Sequence, residues 1–340
     1  MKTISIVHSD LQLMNCIEAV SHYKADKNII LLASLTKRND KMKYLLDKYS
    51  NGIFDRVINL QIVRSQNRIG YHLNFLYAIF VTWTLTLFSR YDFFIIGNYM
   101  EYIQRYLLYL GYQKNKRMVV LVDDGTATLR FVTLREKEFL RGFGYFDRSV
   151  SFFARFIPLS NRKAQIPSSL IYYTTYKLDN ILACDTVERN SYQVIKKFRH
   201  ESGFDDGSIF IIGQPLIESE VIKRIDYLNI LQKIGDLFKS DQIYYCPHPE
   251  ENNIDNISQL GFHILNSMET FEILAMSIPS SSKVIGFYSS ALLNVKHLRN
   301  DIDVSFVNIS NFVNEKYKVS ASLELTYSYI SKNLRELKIL

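Results

Sequence analysis

Met118-Val119-Val120-Leu121-Val122-Asp123-Asp124-Gly125-Thr126 is the stretch on which the reading of the fold turns. Its leading residues are apolar without alternation, as in strands of parallel sheets, which are buried on both faces. Two carboxylates close it, and at the end of a buried strand they cost desolvation free energy unless something uses them. Gly125 permits a sharp turn that exposes them. Adjacent strand residues point to opposite faces, so one of Asp123 and Asp124 is expected to face a ligand.

Outward from this stretch, short β-branched or apolar runs recur at Thr3–Val7, Asn28–Ala33, Arg56–Leu60, Asp92–Gly97 and Arg117–Val122. Segments such as Lys41–Tyr49 and Tyr99–Leu110, with apolar residues every three or four positions, separate them. Such alternation predicts a parallel sheet with helices on both faces. It breaks from Arg130 to Lys163, then resumes with strands expected at Leu170–Tyr173, Ser208–Ile212, Gln242–Cys246, His263–Leu265, Lys283–Phe287 and Val304–Val307. Helices are expected over Glu188–Arg199, Glu218–Phe238, Met268–Ser277, Ala291–Leu298 and Ser320–Leu337. The expected class is α/β, with two Rossmann-like domains, residues 1–165 and 166–340, facing a cleft.

Composition agrees. Of 340 residues, 47% are hydrophobic and 22% charged, which excludes a disordered chain and suits two domains. The net charge of +7 favours anionic partners: nucleic acid, anionic lipid or a negatively charged small molecule. Cys16, Cys184 and Cys246 are widely spaced and odd in number, against a disulfide framework or metal site and for a reducing, cytoplasmic setting. The N-terminus has no signal-peptide pattern. The most apolar stretch, Phe75–Phe88, is shorter than the ~20 residues a spanning helix needs. It reads as a buried crossover helix, with a membrane helix as the alternative.

Ligands of doubly wound sheets bind beyond the carboxyl ends of strands, so residues just after each strand carry the functional information. At Asp123-Asp124-Gly125 the readings are a general base for a sugar hydroxyl, an Asp-Gly turn with a helix cap, or a metal site. At Tyr244-Tyr245-Cys246-Pro247-His248-Pro249, His248 is held between two prolines and has the pKa range to protonate or contact a departing phosphate; the other reading is a surface turn whose histidine is incidental. Ser289 and Ser290, between a strand and a helix, fit either a phosphate site or an ordinary N-cap. At Gly213-Gln214-Pro215, Gly213 allows close approach of a nucleotide and Gln214 can hydrogen-bond it; an ordinary strand-to-helix turn reads the same. A second Asp205-Asp206-Gly207 precedes a strand and reads as a solvated turn.

Asp-Asp-Gly, then His-Pro, then Ser-Ser, in this order and at strand ends, resembles the motif set of bacterial sialyltransferases. The similarity is to the families that decorate lipooligosaccharide, O-antigen and capsule, including the polysialyltransferase-like group. It implies a glycosyltransferase-B architecture, with residues 1–165 on the acceptor side and 166–340 binding the nucleotide sugar. It further implies Asp123 as general base, Asp124 and Gly125 shaping the turn (the Asp roles being exchangeable), and His248 with Pro249, Ser289 and Ser290 on the phosphate of CMP-sialic acid. Sialyl transfer passes through a cation-like state with an acidic phosphate leaving group, which an imidazolium, hydroxyls and a helix N-terminus neutralise without a divalent cation or other cofactor. One base with no carboxylate nucleophile suits inversion. The alternatives are a glycosyltransferase-B enzyme with a different nucleotide sugar, and a non-catalytic nucleotide- or glycan-binding protein.

Arg130–Lys163 carries eight Lys/Arg against three Asp/Glu, interleaved with eight Phe/Tyr. This suits peripheral contact with anionic lipid on the inner face of the plasma membrane, or equally an amphipathic helix buried against a domain interface. No RNA-reading motif accompanies it, so nucleic acid is not an expected partner.

Overall fold

The apolar runs pair as parallel strands with helices packed on them. The computed structural model describes all residues except 34–38, 61–67, 100, 102, 105, 108–117, 142–166, 199–202, 240–241, 253, 315–316, 318–320 and 340. Two compact units result, Met1–Val194 and Ile195–Leu340.

In the first unit the strands are β1 (Lys2–Val7), β2 (Lys27–Leu32), β3 (Arg56–Asn59), β4 (Phe93–Ile96), β5 (Met118–Val122), β6 (Ile171–Thr174) and β7 (Thr186–Arg189). They pair in parallel in the order β3-β2-β1-β4-β5-β6-β7. Among its described residues the unit also has the helices α1 (Asp10–Tyr23), α2 (Asn39–Tyr49), α3 (Arg68–Phe88) and α4 (Ala127–Arg141). Ser9 starts α1 as its N-cap, its hydroxyl accepting the Gln12 N–H at 3.3 Å. Alternation along β1 sends Ile4 and Ile6 into a core with Leu31, Phe94, Leu121 and Tyr172.

The second unit holds β8 (Ile209–Ile212), β9 (Ile243–Cys246), β10 (His263–Ile264), β11 (Lys283–Gly286), β12 (Asp303–Phe306) and β13 (Arg335–Glu336), in the order β10-β9-β8-β11-β12-β13. Its longer helices are α5 (Arg224–Leu237), α6 (Ser290–Leu298) and α7 (Ala321–Asn333). Tyr227, Ile230 and Ile234 of α5 pack on Ile211, Tyr245 and Ile285 of the sheet. Strand order reverses between β1 and β4 in one sheet and between β8 and β11 in the other. Loops part to opposite faces there and open a crevice at the carboxyl edge.

Three expectations change. The strand near Leu170 forms, but as β6 it pairs with β5, so the division between units falls after Val194 and not at 165/166. Buried Arg135 of α4 holds this segment: Nε donates to Asp185 Oδ2 at 3.0 Å, and Nη2 donates to Asp185 Oδ1 at 2.9 Å and the Pro167 carbonyl at 2.7 Å. Asp185 Oδ1 also accepts the Leu170 N–H at 2.8 Å. Second, the described residues of the helix expected at Glu188–Arg199 hold the end of β7 and a 3-10 turn at Ile195–Phe198 instead of an α-helix. As an edge strand, β7 is largely exposed and lacks the apolar run that marks central strands. Third, the helix expected from Glu218 starts only at Arg224, because Glu220 adopts φ +55° and Ile222 bridges to Val313. Most of the basic aromatic segment Arg130–Lys163 lies outside the described residues.

Candidate active site

In the first unit the loops after β1, β4 and β5 meet through side-chain amides. Gln12 of α1 accepts the His8 N–H at 2.9 Å, and the Gln104 amide donates to the same oxygen at 3.3 Å. Gln104 Oε1 in turn accepts the N–H groups of Gly97 and Asn98, both at 2.7 Å. The Asn98 amide donates to Asp124 Oδ2 at 2.9 Å. The carboxyl edge around the switch point is thus a connected polar network, with Gly125 at φ +63° turning the chain directly after it.

Asp123 and Asp124 diverge as their alternation requires. Asp123 is sealed from solvent; its Oδ2 accepts the Thr175 N–H at 2.9 Å and the Thr175 hydroxyl at 3.4 Å. Its Oδ1 is buried and accepts no hydrogen bond of good geometry. Burial pushes its pKa up to about 6, opposed by the hydroxyls of Thr174, Thr128 and Thr175 and by the Thr175 N–H. Below it, the Asp123 carbonyl accepts the Asn15 amide at 3.0 Å, and Asn15 Oδ1 accepts from Asn190 at 3.0 Å. Asp124 is half-buried, and burial raises it too, against Gln12, Asn98 and Ser9. The raised pKa of Asp123 lies in the range of a general base, but the group is closed to solvent, and half-buried Asp124 is the more open carboxylate of the pair. His8, after β1, shares the edge: neither ring nitrogen makes a hydrogen bond of good geometry, and burial pushes its pKa down to about 4 against the Ala33 backbone.

The second unit places the remaining sequence-derived residues on three adjacent strand ends. His248 and Pro249 follow β9, Gly213 and Gln214 follow β8, and Ser289 and Ser290 follow β11. Gln214 ties two of these loops, its side-chain oxygen accepting the Tyr288 N–H at 3.0 Å. Ser289 is the N-cap of α6, its hydroxyl oxygen accepting the Ala291 N–H at 3.2 Å, and Ser290 begins the helix. The cap leaves the Ser289 O–H proton to donate and the helix dipole aimed at the crevice.

Glu251, which the sequence reading passes over, fixes the histidine turn. Its Oε2 accepts the His248 N–H at 2.5 Å, its own N–H donates to the His248 carbonyl at 2.9 Å, and its Oε1 accepts the Tyr245 hydroxyl at 2.6 Å. Tyr227 and Tyr245 share a further hydroxyl contact at 2.8 Å. Burial raises Glu251 to about 7. The Glu250 N–H donates to His248 Nδ1 at 3.2 Å, which places the proton of a neutral imidazole on Nε2. A Cβ on Gly213 meets the Tyr245 hydroxyl oxygen at 2.7 Å and collides with the Glu251 carboxylate. Gly213→Ala is therefore expected to destabilise the protein by about 1–3 kcal/mol through overpacking, read by chemical denaturation.

Asp205-Asp206-Gly207 stands at the opposite, amino edge of the second sheet. Asp205 Oδ2 accepts the Gln242 amide at 2.5 Å and Asp206 Oδ1 accepts the Ser281 hydroxyl at 3.0 Å, with Gly207 at φ +79°. It is a turn remote from the carboxyl-edge residues of its own unit. Among the described residues no group of three or more His, Cys, Asp or Glu is placed to hold a metal ion.

Two parallel α/β sheets, each with polar side chains gathered at the carboxyl edge by its switch point, define a protein of the glycosyltransferase-B type. The profile of the alpha-2,8-polysialyltransferase family matches residues 3–308, and the chain belongs to that family, a glycosyltransferase among sialyltransferases. No curated protein matches it by sequence. Similar solved structures include a putative UDP-N-acetylglucosamine 2-epimerase from Listeria monocytogenes (10% identity, 98% of this chain and 91% of that one, TM-score 0.57). MurG of Acinetobacter baumannii is also similar (10% identity, 99% and 85%, TM-score 0.51). So is a 2,6-sialyltransferase of a Photobacterium species, in a ternary complex with the donor product CMP and the acceptor substrate lactose (12% identity, 98% and 78%, TM-score 0.52). At these identities the likeness is one of fold.

Proposed function

We propose that the chain moves sialic acid from CMP-sialic acid to a hydroxyl of a cell-surface glycan precursor, with inversion and without a metal ion. The observation that carries this reading is the family match over residues 3–308, which encloses Asp123, His248 and Ser289–Ser290 in the order and strand-end positions described. The family's name and the sialyltransferase neighbour solved with the donor product CMP support this choice of donor. In this reading Asp123 takes the proton of the acceptor hydroxyl as it attacks the anomeric carbon, and the bond from that carbon to the CMP phosphate oxygen breaks. His248 Nε2 and the Ser289 and Ser290 N-terminus of α6 stabilise the negative charge left on that phosphate. The family's linkage makes a sialic-acid-ended glycan the first acceptor to try and lactose the second.

The test is incubation of the purified chain with CMP-sialic acid, each acceptor and excess EDTA, following CMP release and product mass. The expected result is CMP release with a sialylated product whose rate EDTA leaves unchanged. Loss of turnover in EDTA that returns with a divalent cation overturns metal independence. No release with CMP-sialic acid, but turnover with another sugar nucleotide, overturns the donor.

A further inference from the structure

Helix α3 packs on the first unit along one face and, among the described residues, is left bare along the other. Phe75, Ala78 and Ile79 enter the core. The Thr82 and Thr86 hydroxyls on the same side are buried and donate back to the Ala78 and Thr82 carbonyls at 2.7 and 3.0 Å. This side of the helix is therefore the one its own core claims. Opposite them, Leu73, Tyr77, Phe80, Trp83, Leu87 and Phe88 recur at three- and four-residue spacing and are exposed, Phe80 to 58% and Phe88 to 81%. At 3.6 residues per turn they span roughly 140° of arc. Together they expose on the order of several hundred Å2, at or above the largest apolar patch of a typical monomer.

No Asp, Glu, Lys or Arg occurs from Ile69 to Phe88. Helices facing water carry charge on the outward side, whereas the outward side of this one is uncharged and largely apolar. Tyr and Trp beside Phe and Leu are the side chains that settle at headgroup depth. Among the described residues no helix is long and apolar enough to cross a membrane, which leaves a helix lying along the surface.

The charge around its end fits the same partner. As the crossover between parallel β3 and β4, α3 finishes at the amino edge of the sheet, where Lys2, Lys27, Arg56 and Arg90 are all exposed. Asp26, Asp55 and Asp92 share that edge, but they face the N-terminal ammonium, the Asn28 N–H and the Lys2 N–H respectively. Cations remain in excess there, on a chain of net charge +7.

We propose that the outward face of α3, with the basic amino edge of its sheet, docks the protein on an anionic lipid bilayer. The start of α3 follows the carboxyl end of β3, on the same sheet edge as Asp123 and Asp124, so a helix lying flat keeps that edge near the headgroups. The docking does not depend on which sugar is transferred.

Trp83 is the only tryptophan of the chain and sits within the proposed contact, so its emission reports docking directly. The full chain is mixed with phosphatidylcholine vesicles with and without phosphatidylglycerol, and sedimentation and fluorescence are read together. Expected are binding to the anionic vesicles that weakens with salt, and a shift of Trp83 emission to shorter wavelength. The exposed-site variants Phe80→Gln and Phe88→Gln should each lose at least about tenfold in vesicle affinity while melting like the parent. Arg56→Glu with Arg90→Glu should remove the preference for anionic lipid. No sedimentation with unchanged Trp83 emission overturns the proposal. An emission shift that needs no vesicles and follows protein concentration overturns it in favour of a contact between two copies.

Discussion

Asp123→Asn is expected to lower sialyl transfer by about 10²–10⁴-fold, the usual worth of a positioned base, while making the folded protein more stable above pH 6. Both effects come from one fact, that burial holds this carboxyl up at about 6 against an unfolded value near 3.8. Between those two pH values the folded state keeps a proton that the unfolded state has lost, so stability falls as pH rises through the window and stays lower above it. Asparagine has no charge to desolvate, and its carbonyl can still accept the Thr175 N–H. Allowing for the amide hydrogens left unpaired, the net gain is on the order of 1–2 kcal/mol at pH 8 and vanishes below pH 4. The pair of readouts separates a base from a clamp. A purely structural Asp123 predicts destabilisation with whatever loss of activity follows from it. Asp124→Asn is the companion measurement, because Asp124 is the more open of the two and already hydrogen-bonded to Asn98. If Asp124→Asn removes transfer and Asp123→Asn does not, the two roles are exchanged.

The central strands were legible because burial on both faces leaves no choice of residue: Ile209–Ile212 and Phe93–Ile96 are apolar throughout, and nothing but a sheet interior needs that. Edges were not. β7 and β13 are short and largely exposed, and their sequences carry no more signal than a loop's. The division between units moved for the same reason. What holds β6 and β7 to the first sheet is a buried arginine on α4, a long-range contact that no local pattern announces. At the site, the residues with unusual backbone needs or strand-end charge stood out, among them Gly125, His248 and the Asp pair. The groups that position them did not. Gln12, Gln104, Asn98 and Thr175 are ordinary polar residues whose partners lie on other loops. Glu251 had a faint signal in its spacing, three residues beyond a histidine whose turn it closes.

His248→Ala should cost transfer by a comparable 10²–10⁴-fold, but with the loss divided differently. The leaving phosphate of CMP-sialic acid is acidic, so it needs charge neutralisation more than a proton, and a contact that neutralises is partly made in the bound donor as well. Weaker CMP binding, read by calorimetry, is therefore expected alongside the fall in kcat. Stability should change little, because the side chain is half-buried and the turn is held by backbone bonds to Glu251 that alanine keeps. His248→Gln sharpens the measurement. Its amide can donate a hydrogen bond to phosphate but cannot carry charge, so it should recover part of the CMP affinity and little of the turnover. A fall in kcat with CMP affinity untouched assigns His248 to proton donation alone, acting from the Nε2 that the Glu250 contact leaves protonated. Turnover and CMP affinity both unchanged reduce it to a turn residue, and the donor then rests on Ser289, Ser290 and the N-terminus of α6 without it.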